Sequence, residues 1–176
     1  KDEDGPGEEG MEVKDRPRTP VAVKVPMADD RGKHPRVGKD KPFFLIPSPT
    51  ILARAGNLAI APQPEEDCGL GEGPNGETYI LAQALVEKVM SVCGVEGWEI
   101  VETYPGALFA HMLAWHSLLD TTSRLVLADY VTMDSGTGCV HTAPGFCADC
   151  SAPSRRYRMH QAVTCTTQGR TNDYAR

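Results

Sequence analysis

Short apolar runs broken by proline and glycine dominate the hydrophobic pattern of this chain, and long helical stripes are rare. Val21-Ala22-Val23-Lys24-Val25 alternates around a polar position and predicts a first strand, ended by Pro26. Asp29-Asp30-Arg31-Gly32-Lys33 has turn chemistry. Phe43-Phe44-Leu45-Ile46 predicts a short buried strand stopped by Pro47, and Leu58-Ala59-Ile60-Ala61 another, closed by Pro62. Residues 65–77 are rich in Gly, Glu and Pro and read as a loop. Leu81, Leu85, Val86 and Val89 then recur at helical spacing, with Gly94 where a helix would stop. Residues 98–101 and 125–131 predict further strands, and Gly136-Thr137-Gly138 a tight turn into Cys139-Val140-His141. Strands outnumber helices and no alternating βαβ repeat is present. The expected fold class is therefore α+β: an irregular β-barrel core with a few packed helices.

Composition limits the alternatives. The first 18 residues combine Gly, Pro and acidic groups and cannot bury much apolar surface, which predicts a flexible acidic lead-in before a single domain over 19–176. After residue 150 the periodicity fades. A net charge of -6 argues against a protein that grips nucleic acid over its whole surface, while the arginines gathered after residue 150 leave a local contact open. The apolar runs are too short to span a bilayer, and the charged N-terminal stretch has no apolar signal region. Six cysteines in that setting read as reduced thiols or metal ligands, so a cytoplasmic protein without membrane contact is expected.

One segment carries more specific information. Asp129-Tyr130-Val131-Thr132 leads into Gly136-Thr137-Gly138-Cys139-Val140-His141-Thr142-Ala143-Pro144-Gly145. This resembles the GTG-x-VHTAPG signature of isoleucyl-tRNA synthetase editing domains, inserted domains of the class I isoleucyl, valyl and leucyl group. Asn57-Leu58-Ala59-Ile60-Ala61 resembles the same family's NLAIA, and Glu77-Thr78-Tyr79-Ile80-Leu81-Ala82 its YILA strand. The similarity covers about 21–145, and the synthetase's HIGH and KMSKS signatures are absent from the chain.

The resemblance implies hydrolysis of the ester in valyl-tRNA for isoleucine, with no cofactor. Its partners would be the 3′ aminoacyl-adenosine end of tRNA and the rest of a synthetase. It places His141 and Asp149 at the amino-acid end as catalytic candidates, with Thr142 and Ala143 as the adjacent wall. Ser48, Thr50 and Asn57 would form the opposite wall. Two departures stand out. Pro49 and Ala53 replace residues of the family's threonine-rich strip, and Cys150 stands where the family has an aspartate that anchors the ammonium group. A neutral thiol cannot replace a carboxylate there. A domain that keeps the fold but only binds tRNA is therefore an open alternative. A zinc-binding nucleic-acid module using Cys147, Cys150, His160 and Cys165 is another.

Other features have plain readings. His111 and His116 are five residues apart, which is not the same-face spacing of helical ligands. Gly71 to Gly76 lacks the Lys-Ser/Thr of a phosphate loop, and no GxSxG occurs.

Overall fold

The computed structural model describes residues 22–34, 37, 41–47, 55–145, 147 and 149–160. The expected lead-in, Ser48, Thr50, Cys165 and most of the segment after residue 150's short helix lie outside them. The described chain forms nine strands: β1 Ala22–Asp29, β2 Phe43–Pro47, β3 Ala59–Pro62, β4 Asp67–Glu72, β5 Thr78–Ala82, β6 Glu99–Pro105, β7 Leu113–Trp115, β8 Thr122–Leu125 and β9 Cys139–Thr142. Two α-helices accompany them among the described residues, α1 Val86–Cys93 and α2 Ser151–Arg156, with short 3-10 turns at Gln83–Leu85 and Gly106–Phe109.

The strands follow the order β6-β4-β5-β2-β1-β7-β8-β3-β9 in one mixed sheet. The β2–β5 and β3–β8 pairs are parallel and the rest antiparallel. The sheet curls until β9 packs beside β2, without hydrogen-bonded closure between them among the described residues. The expected irregular, β-rich fold with few helices is present, as a curled open sheet rather than a closed barrel.

Strand β1 does not end at Pro26. Its first half pairs with β2, from Ala22 opposite Pro47 to Pro26 opposite Phe43, and its end pairs with β7 after a register shift between Met27 and Asp29. Proline, lacking an N–H, sits where the strand changes partners, a place where a missing donor breaks no ladder. Val23, Val25 and Met27 face inward along β1.

The stretch 65–77, read as loop, contains β4, which pairs with both β5 and β6. Glycines at 69 and 71 hid the alternation. Cys68 and Leu70 enter the central core, while a side chain at Gly69 would lie 3.6 Å from Val86 of α1. Gly69 thus lets a helix approach the sheet. Residues 125–131 are likewise not a strand: β8 ends at Leu125, and 126–131 run irregularly over a small core of Ala59, Ala61, Val126, Ala128 and Val131. Leu81, assigned above to the helical repeat, belongs to β5.

Three apolar clusters hold these layers. The central one contains Phe44, Phe109 and Tyr104, with the two pairs sharing Phe109 stacked edge to face at 5.6 and 6.2 Å. Burying each such ring contributes about 1.5–3 kcal/mol. The second seats α1 through Val86, Val89 and Met90 on Leu45, Tyr79 and Leu81. Gly94 ends α1 in the left-handed conformation, as the sequence predicted.

Candidate functional site

The turn Gly136-Thr137-Gly138 anchors the site. Gly136 and Gly138 have φ of +80° and +71°, a region costly for residues bearing a Cβ. A Cβ at Gly138 would stand 2.2 Å from that of Ala82, so the turn is pressed against the end of β5. Thr137 is buried, and its hydroxyl donates to the Leu45 carbonyl of β2 at 2.5 Å. Its carbonyl accepts the Ala82 N–H at 2.9 Å. The turn therefore clamps β9 against two strands of the other half of the sheet.

From that clamp β9 runs antiparallel to β3, with His141 opposite Ile60 and Thr142 opposite Ala59. Successive side chains of a strand point to opposite faces. His141 faces a narrow recess of about 10 Å³ lined with Val23, Val25, Ile46, Pro47, Asn57 and Ser117. The imidazole is half-buried, and its Nδ1 is buried with no hydrogen-bond partner among the described residues. Burial lowers the His141 pKa below the ordinary imidazole value. The ring is consequently neutral at pH 7, and its free nitrogen lone pair can accept a proton.

Asn57 is buried and ties the walls together. Its amide donates to the Ser123 hydroxyl at 3.1 Å, and its oxygen accepts the Thr142 N–H at 3.3 Å. One side chain thus bridges β8 and β9 beside the recess.

Thr142 turns to the other face. Its hydroxyl lies 2.9 Å from the Tyr130 hydroxyl, which also donates to Cys150 Sγ at 3.8 Å. Burial raises the Tyr130 pKa, so the phenol stays protonated between them. Cys150 is buried at the start of α2, with its N–H on Cys147 Sγ at 3.3 Å. Burial, reinforced by the Cys147 thiol, pushes Cys150 up to about 11, so it is a neutral thiol. Ala143 is fully buried and its carbonyl accepts the Cys147 N–H at 3.1 Å. Asp149 is exposed.

The structure therefore brings His141 and Asn57 into one recess and directs the Thr142 side chain away from it. Among the described residues no three His, Cys, Asp or Glu side chains converge as a metal would require. Ser117 and the apolar wall of Val23, Val25 and Ile46 were not singled out from the sequence. The alternation in β1 carried a signal for the valines, whereas Ser117 had none.

Comparison with known proteins gives the architecture its class. The fold matches the P. knowlesi cytosolic leucyl-tRNA synthetase editing domain with a TM-score of 0.64 at 14% identity, over 78% of this chain and 61% of that one. It matches the P. falciparum cytosolic leucyl-tRNA synthetase editing domain with a TM-score of 0.57 at 10% identity, over 78% and 66%. At such identities the likeness is one of fold: this is the fold of synthetase editing domains.

In sequence the chain is homologous to a segment of isoleucine--tRNA ligases. It is 36% identical to the Petrotoga mobilis enzyme over 143 residues, 81% of this chain, and 38% identical to the Desulfotalea psychrophila enzyme over 153 residues, 85% of this chain. It spans 16% of the length of each of these curated relatives. No family model matches the chain. No helix among the described residues is long and apolar enough to cross a membrane.

Proposed function

We propose that the chain is the editing module of an isoleucine-specific synthetase, hydrolysing the ester that links valine to the 3′ end of its tRNA. The observation that carries this reading is the His141 recess: a neutral imidazole with an unpartnered buried nitrogen, facing an apolar wall of Val23, Val25 and Ile46. Ester hydrolysis needs a placed water, a group to take its proton and donors for the developing oxyanion. His141 is the proton acceptor, while Asn57 and Ser117 supply polar groups at the same recess. The apolar wall meets the aliphatic side chain once the recess, about 10 Å³ in the free chain, widens to admit it, and steric limits there discriminate between chains that differ by one methylene. Such discrimination amounts to about 1–3 kcal/mol, or roughly 10–200-fold.

A second reading has its own support. Cys150, at the position where the resemblance calls for an anchoring aspartate, is a neutral thiol held by Tyr130. A domain that binds tRNA without cleaving the ester is consistent with that arrangement. One assay separates the two: deacylation of valyl-tRNA for isoleucine by the purified chain, beside isoleucyl-tRNA and a His141→Ala variant. Faster loss of valine that disappears in the variant supports the hydrolase. No hydrolysis by a folded chain that still binds the tRNA supports the binding-only domain.

A further inference from the structure

The connection from β9 to α2 places two thiols together outside the His141 recess. Cys147 and Cys150 are three residues apart, and each is pinned by its own backbone hydrogen bond. The Cys147 N–H donates to the Ala143 carbonyl at 3.1 Å, just past the end of β9. The Cys150 carbonyl accepts the Ser154 N–H of α2, also at 3.1 Å. Between these anchors the Cys150 N–H donates to Cys147 Sγ at 3.3 Å, and the two thiols are themselves in hydrogen-bonding contact. Their access differs: Cys147 is half-buried, whereas Cys150 is 1% exposed. The Tyr130 hydroxyl lies against both Cys150 Sγ and Thr142 Oγ1 of β9. The other described cysteines supply a contrast. Cys68 and Cys139 also touch, but both are sealed in the central core, and Cys93 is exposed at the end of α1.

We propose that Cys147 and Cys150 form a thiol–disulfide exchange site, which reacts with a small organic disulfide and ends as a Cys147–Cys150 bond. Cys147, the accessible partner, attacks first as its thiolate. One sulfur of the organic disulfide bonds to Cys147 Sγ, the S–S bond breaks, and the other half leaves as a thiolate. Cys150 then releases its proton to solvent, and its sulfur attacks Cys147 Sγ; the mixed disulfide breaks and the second half leaves. Two protein thiols are oxidised, one organic disulfide is reduced to two thiols, and the protons lost by the protein are taken up by the leaving groups. Burial and the Cys147 thiol hold Cys150 as a neutral thiol, so it does not compete for the first attack. Forming the mixed disulfide removes one of those two causes. The sulfurs already touch, so the closing step needs little backbone movement. A thiol held this close acts at an effective concentration on the order of millimolar, which favours the internal bond over a second external thiol. Among the described residues no further His, Cys, Asp or Glu joins the pair as a metal's donor set.

The test exposes the full chain, reduced and treated with a chelator, to glutathione disulfide with an equal concentration of reduced glutathione. Alkylation and peptide mass spectrometry then read the state of each cysteine. Cys147 and Cys150 should be joined to each other, Cys93 should carry only a mixed disulfide, and Cys68 and Cys139 should remain thiols that alkylate only on unfolding. Cys150→Ala should stop at the mixed disulfide on Cys147. Cys147→Ala should lose the internal bond and slow oxidation of the Cys150 thiol by about ten-fold or more, because the accessible nucleophile is gone. Circular dichroism and urea midpoints check that each variant is folded, and the map of the unaltered chain decides the matter if one is not. Cys147 and Cys150 that stay reduced in the unaltered chain, a mixed disulfide on Cys147 that never closes, or a bond from either to Cys165 in place of the pair would overturn the proposal. Stoichiometric zinc that must be stripped before any exchange occurs would also overturn it, assigning the pair to a metal site instead.

Discussion

Adding one methyl group at Gly138 should unfold this protein more readily than adding it two residues earlier, and the structure sets the difference. A Cβ at Gly138 meets Ala82 Cβ at 2.2 Å, Met133 Cε at 3.2 Å and Ala82 Cα at 3.3 Å, on a backbone with φ of +71°. The left-handed conformation alone costs an alanine about 1–2 kcal/mol. Relieving the contact forces β5 and the turn apart, an overpacking penalty of about 1–3 kcal/mol. Gly138→Ala should therefore lose about 2–5 kcal/mol, a large share of the roughly 5–15 kcal/mol that holds a domain together. At about 2–4 °C per kcal/mol for a chain of this size, the middle of that range is a fall of roughly 10 °C in Tm. Gly136→Ala is the internal control. Its φ is +80°, but its Cβ meets only Pro47 Cγ at 3.4 Å, so only the backbone strain of about 1–2 kcal/mol applies. Urea unfolding followed by far-UV circular dichroism measures both, with an unchanged slope as the check on two-state behaviour. Adding Ala82→Gly to Gly138→Ala should recover part of the loss, since it removes the atom struck at 2.2 Å. Equal midpoints for Gly136→Ala and Gly138→Ala, or no recovery in the double variant, would refute the claim that close approach to β5 demands this glycine.

Three further outcomes follow from the same geometry. Asn57→Ala removes the acceptor of the buried Thr142 N–H and the partner of the Ser123 hydroxyl, and should lower stability by about 2–4 kcal/mol in urea. Thr137→Val keeps the shape but loses the hydroxyl bond to Leu45, and should cost about 1–3 kcal/mol by the same measurement. His141 has a lowered pKa when folded, so the unfolded chain binds that proton more tightly. Its contribution is neutral above about pH 6.5 and turns destabilising as pH falls through the folded value; His141→Gln should flatten this limb in urea midpoints taken across pH 5–8. If His141 is the proton acceptor, the hydrolysis rate should fall along the same acid limb.

Much of the candidate site was legible because its chemistry is local. The glycine pair around Thr137 required positive φ, the alternation Cys139-Val140-His141-Thr142 required a strand, and both are present. What alternation could not convey is which face each residue would meet. His141 and Thr142 are neighbours in the sequence and were read as adjacent walls, but the period of two sends His141 to the recess and Thr142 to Tyr130. Strand β4 escaped notice for a related reason. Its glycines lack the side chains that reveal a period, and only the approach of α1 shows why they are glycines.

The sequence by itself determined the β-rich class, most strand positions, the turn that opens β9 and the kinship with isoleucine--tRNA ligases. These depend on local propensity and on a contiguous motif, which any reading along the chain captures. Tertiary structure alone decided that β1 would pass through Pro26 and change partners, because a strand's continuation depends on what lies beside it. It also decided that Asn57 would bridge β8 and β9, and that Ser117 would join His141, although 24 residues separate those two. Long-range contacts of this kind are set by how the sheet curls, a property of packed layers that no short segment carries.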